Sequence, residues 1–163
     1  MIEIDAIDEL VARSKDHREL RRFHQFHRAH PEVMGFLCEE IQLRIDSGFE
    51  AFSHRSLWEY CRWQLEMERG PGDTFLMNDH AGILYSRAIT ILHPEFNGRA
   101  AFRTALADDI FGTRLEPMAG SRKGFARLQW ADGTPLESGW RPSRPHVPTR
   151  RVRRKRHIHL GVR

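Results

Sequence analysis

The chain has 163 residues, 40% of them hydrophobic. That bounds one globular domain plus an appendage, and no apolar run approaches the roughly 20 residues needed to span a bilayer as a helix. The net charge of +4 at pH 7 divides sharply: of 26 Lys+Arg, nine lie in residues 141–163 with no acid among them, leaving 17 in residues 1–140 against all 22 Asp+Glu. The body is therefore −5 and the C-terminal arm +9, and the pI of about 9.6 describes the arm and not the fold.

The opening MIEIDAIDEL is acidic and lacks the basic-then-apolar order of a signal peptide, so the protein is expected to be intracellular, in the cytoplasm. In it Ile2, Ile4 and Ile7 fit a strand or the start of a helix. From Asp16 to His30, Leu20, Phe23 and His27 fall on one helical stripe, with Asp16 as N-cap and Glu19 completing a capping box. Pro31 opens the next helix, where Val33, Leu37, Ile41 and Ile45 recur every four residues until Gly48 stops it. Ser53 caps a helix over 54–69 with two apolar faces, Leu57/Trp58/Cys61/Leu65 and Tyr60/Trp63/Met67. Such a helix is expected to be central and packed on both sides. Gly70-Pro71-Gly72 ends it.

Asn78 or Asp79 caps a helix over about 79–93 whose stripe is Leu84, Ala88, Ile91 and Leu92. Arg99–Phe111 reads as a fifth helix through Phe102, Leu106 and Ile110. After Gly112 the pattern changes. Asp132-Gly133 marks a turn between Phe125–Trp130 and Leu136–Trp140, which predicts a small hairpin. Residues 141–156 are rich in proline and charge without a core pattern, and are expected to be disordered in isolation. The fold class is thus mainly α: a compact bundle of about five helices over 1–112, a β-hairpin within 113–140 and a basic, flexible arm over 141–163. Cys38 and Cys61 sit in apolar stripes and read as buried free thiols.

The central stretch resembles a widespread family of small, mostly uncharacterised helical proteins from bacteriophages, prophages and actinobacteria. The residues that carry the likeness are Ser53, Leu57-Trp58-Glu59, Arg62-Trp63, Phe75 and Asn78-Asp79-His80, then Tyr85, Arg87, Pro94-Glu95, Gly98 and Phe102-Arg103. It covers about residues 23–103, and the usual Asn-rich triplet here has Asp79 and His80 as its second and third members. The resemblance implies a compact helical domain in a mobile-element setting and brings no catalytic residues.

Candidate chemistry is sparse. His24, His27 and His30 suggest a metal site, but at ~100° per residue His30 falls about 240° round the helix from His24. Zinc sites pair their Cys and His ligands more tightly. His157 and His159 add to the arm's charge more plausibly than they chelate. Glu39-Glu40, Glu59, Glu66, Glu68 and Asp108-Asp109 supply carboxylates without the pattern of a metal nuclease, and no glycine-rich phosphate loop is present. No enzyme activity, metal or cofactor is expected.

The leading expectation is association with DNA or RNA. Arg150, Arg151, Arg153, Arg154, Lys155 and Arg156 would meet phosphates and release counterions. Ser53, His54 and Arg55 at a helix start, with Arg87, are further contacts in a helix-turn-helix-like reading of 31–47 and 54–69, although Glu59, Glu66 and Glu68 on that helix repel phosphate. The alternative is a protein-binding inhibitor or subunit of a host defence or nucleoprotein complex, whose acidic body meets a basic partner. No membrane partner is expected, and the oligomeric state is left open.

Overall fold

The computed structural model describes residues 6–73, 75–120 and 125–138; the expectations for residues 1–5, Trp140 and the arm 141–163 lie outside them. The fold is mainly helical with one small antiparallel sheet. The helices are α1 (Ala6–Arg13), α2 (Arg18–Ala29), α3 (Glu32–Asp46), α4 (His54–Arg69), α5 (Asp79–Leu92) and α6 (Leu106–Phe111). Short 3₁₀ turns occupy Pro94–Phe96 and Leu136–Ser138.

Two caps act as the sequence predicts. The Ser53 hydroxyl accepts the Ser56 amide at 3.2 Å, and the Asn78 side chain accepts the Ala81 amide at 2.9 Å. The cap of α2 is a correction: Nδ1 of His17 accepts the Glu19 amide at 3.1 Å, while the Asp16 carboxylate is taken by Arg21 at 2.5 Å.

The central helix is α5 and not α4. Tyr85 through Ile91 are all buried, and α5 packs against α1, α2, α3, α4 and α6. Tyr85 is its hub. Its ring meets Phe23 edge-on at 4.8 Å and Trp58 at 5.5 Å, and its hydroxyl lies 3.1 Å from Nδ1 of His27. In α4 only the Leu57/Trp58/Cys61/Leu65 face is buried; Trp63 is 56% exposed and Met67 68%. On the second apolar face of α4, Tyr60 meets Phe36 of α3 at 5.8 Å, while Trp63 and Met67 stay exposed.

The helix expected over 99–111 forms only from Leu106. The chain before it is extended, because Ala100 bridges Phe52 and Ala101 bridges Phe125. The Asp108 carboxylate accepts the Ala105 amide at 2.9 Å and so fixes where the helix starts. Phe102 is buried all the same, by an extended route.

The β element pairs β1 (Thr113–Pro117) with β2 (Ala126–Trp130), with Thr113 opposite Trp130 and Pro117 opposite Ala126. The strand expected from Leu136 is replaced by a 3₁₀ turn. Asp132-Gly133 does turn, with Gly133 at φ +92°, but only Gln129 and Pro135 bridge across it. Pro135 has no amide to continue a ladder, and Leu136 is drawn fully into the core. The Asn97 side chain grips both backbone groups of Leu128, at 2.7 and 2.8 Å, and ties the sheet to the helical body.

Candidate functional site

Where α4 begins, the body opens into a cleft of about 600 Å³. Three separated segments build it: residues 53–59 at the start of α4, residues 79–87 of α5, and the extended stretch 101–105. The tertiary fold thus brings Ser53-His54-Arg55 together with Asp79 and Arg87 of α5. Gly82 permits this approach, since a Cβ there would stand 2.9 Å from the Trp58 indole. An isolated glycine in an otherwise regular helical pattern is the sequence signal that could have pointed here.

The expected site residues fare differently. Ser53 and Arg55 are exposed at the cleft, Ser53 serving as cap. His54 is half-buried, its ring between Phe52 at 5.0 Å and Phe102 at 5.2 Å, and its Nε2 is buried without a hydrogen-bond partner among the described residues. Burial, with the Arg87 charge adding to it, pushes the His54 pKa down to about 3, so the ring is neutral at pH 7.

Arg87 is withdrawn from the expected phosphate contacts because it is buried and fully engaged. Its guanidinium donates to both Asp108 oxygens at 2.7 and 3.0 Å and to the Arg103 carbonyl at 2.7 Å, and it lies 4.6 Å over the Phe102 ring. It is a fastener between α5, α6 and the 101–105 wall. Arg150, Arg151, Arg153, Arg154, Lys155 and Arg156 lie outside the described residues.

Sequence reasoning took Trp58 as core alone and Arg103 as helical. Trp58 is 5% exposed, yet its Nε1 has no hydrogen-bond partner among the described residues, and the residue lines the cleft. Arg103 lines the cleft and is exposed, like Arg55, and neither guanidinium pairs with a carboxylate among the described residues. The acids of the same rim are held: Arg62 takes Glu59 at 3.1 Å and Asp79 at 2.5 Å.

The helix-turn-helix reading gives way to an αα-hairpin. Arg69 at the end of α4 bonds Glu32 at the start of α3, at 2.8 Å, so the two helices run side by side instead of crossing. The histidines of α2 part company: His24 pairs with Asp8, His27 with Tyr85, and His30 lies 3.5 Å from Glu32. Among the described residues no group of three or more His, Cys, Asp or Glu is placed to hold a metal ion. Burial, with nearby glutamates adding to it, raises both Cys38 and Cys61 thiols to about 12, which leaves them protonated and unreactive at neutral pH.

Comparison of the chain with protein families, with curated proteins and with solved structures finds no match.

Proposed function

We propose that this is a non-enzymatic nucleic-acid-associating protein of a phage or mobile element. The basic arm, through Arg150, Arg151, Arg153, Arg154, Lys155 and Arg156, supplies most of the phosphate contacts, and the α4 start supplies the rest. The observation that carries the reading is the pair Arg55 and Arg103. On a body of net charge −5, two exposed arginines from different segments line one cleft without a carboxylate partner among the described residues. Guanidinium groups so left are suited to phosphate oxygens.

The test is a salt series of duplex and single-strand affinity for the full chain and for a variant with the six arm residues changed to Gln. Neutralising six contacts should flatten the slope of log K against log salt on duplex by about 5. Absence of measurable affinity at low salt would end the reading.

A second reading, a protein that binds and modulates another macromolecular complex, is favoured by the outer face of the α3–α4 hairpin. Leu43 and Phe49 line a shallow hollow with Tyr60, while Trp63 and Met67 stand on α4; Leu43, Phe49, Trp63 and Met67 are each more than half exposed. Residues 32–69 carry eight Asp+Glu against four Arg, so the partner suited to this face is apolar and basic. Trp63→Asp should abolish capture of such a partner without changing nucleic-acid affinity; unchanged capture would remove the face from consideration.

A further inference from the structure

We infer that the outer face of the α3–α4 hairpin seats a basic amphipathic helix of a partner protein, which adds a third helix to the pair. The inference rests on the second reading above and names the form of the partner, which that reading leaves open.

The apolar residues of this face follow helical spacing on both members of the pair. On α4, Tyr60, Trp63 and Met67 stand at i, i+3 and i+7, so they share one stripe about two turns long. On α3, Phe36 and Leu43 stand seven residues apart and share another. Tyr60 joins the two stripes: its ring lies 5.8 Å from Phe36, and it lines the hollow with Leu43 and Phe49. Arg69 and Glu32, bonded at 2.8 Å, hold the two helices side by side. Neighbouring helices with adjoining apolar stripes leave a groove into which the ridge of a third helix packs. A helix apolar at i, i+3 or i+4 and i+7 has the matching spacing. It also satisfies its own backbone N–H and C=O groups, which an extended segment would bury unpaired against side chains.

Charge sets the other face of that helix. Glu39 lies between Phe36 and Leu43 in α3, and Glu66 between Trp63 and Met67 in α4. Both are exposed, and neither pairs with Lys or Arg among the described residues. Glu50, next to Phe49, and Glu68, next to Met67, are in the same state. The nearby cations are in use: Arg62 holds Glu59 and Arg69 holds Glu32. In the hollow Glu40 and Arg44 carry opposite signs, so the excess negative charge sits on the rim. A fitting partner therefore brings aliphatic side chains to the stripes and Lys or Arg to the rim. A second copy of this chain would set carboxylate against carboxylate. An anionic membrane or a phosphate backbone would be repelled in the same way.

The experiment uses the full chain and synthetic peptides of about 18 residues, or five turns. The first carries leucine at i, i+3, i+4 and i+7 with lysine elsewhere. The second has glutamate in place of lysine. The third is the lysine peptide with proline at its centre, which breaks the helix. Calorimetry reads binding, and circular dichroism reads peptide helicity. The lysine peptide should bind at least about tenfold more tightly than either of the others and gain helicity as it binds. Trp63→Asp should abolish that binding. Glu39→Lys with Glu66→Lys should shift the preference toward the glutamate peptide; both sites are exposed, so this variant keeps the test decisive if Trp63→Asp does not fold.

Equal binding of the lysine and glutamate peptides, or lysine-peptide binding that survives Trp63→Asp, would overturn the inference. Equal binding of the proline peptide would mean an extended occupant: the helix would fall while the protein-binding reading stands. No binding by any of the peptides would overturn both.

Discussion

The cleft and the outer face of the α3–α4 hairpin share one helix, and each is unfinished in its own way. In the cleft, α4 is buried against α5, and what lacks a partner among the described residues is polar: an indole N–H, an imidazole nitrogen and two arginines. On the outer face what lacks cover is apolar, Leu43, Phe49, Trp63 and Met67, among carboxylates. A missing hydrogen bond is directional and is met by one well-placed donor or acceptor. Missing apolar cover is non-directional and scales with area, and a macromolecular surface supplies it. The two regions thus differ in what they leave open, polar groups in one and apolar area in the other.

The comparison breaks most completely if the cleft wall is released. Asp108→Ala leaves Arg87 buried without its carboxylate and should cost about 3–5 kcal/mol in urea denaturation. Gly82→Ala tests the close approach of α4 and α5. A methyl group there gains about 1 kcal/mol of helix propensity, but the indole must move from a point 2.9 Å away. A net loss of about 1–2 kcal/mol is expected, with perturbed Trp58 fluorescence; a gain in stability would show that the contact is loose.

Acid should weaken the fold through His54 of the cleft. With its folded pKa near 3 and an ordinary value near 6.5, His54 stays neutral in the fold while the unfolded chain takes up a proton. Stability therefore falls as pH drops below about 6.5, by at most about 1.4 kcal/mol per unit. His54→Phe should flatten that slope between pH 6.5 and 5. The smallest effect belongs to the outer face: Trp63→Asp should change stability by no more than about 0.5 kcal/mol. A larger loss would mean that the face is already covered within the molecule.

Much of the helical frame was legible from periodicity and punctuation. Val33, Leu37 and Ile41 repeat on one stripe and are buried, and Ser53 and Asn78 cap as their types predict. These signals are local, carried by residues within two turns of one another. The errors came where partners distant in sequence compete with local preference. Residues 99–105 hold a helical pattern yet are extended, because Phe52 and Phe125 take their backbone groups. Leu136 reads as a strand residue yet turns inward to the core. Arg87 reads as a surface cation yet is neutralised by Asp108, 21 residues on. In α4 the sequence marks two apolar faces and has no means of saying which is covered.

Composition and spacing alone determined the separation of a −5 body from a +9 arm, the helical class and the positions of the main caps, since each depends on near neighbours or on simple sums. Tertiary structure alone decided that α5 is the centre, that Arg87 is internal, and that Trp58, His54, Arg55 and Arg103 line one cleft. Burial and convergence are properties of packing between distant segments, and no local pattern encodes them.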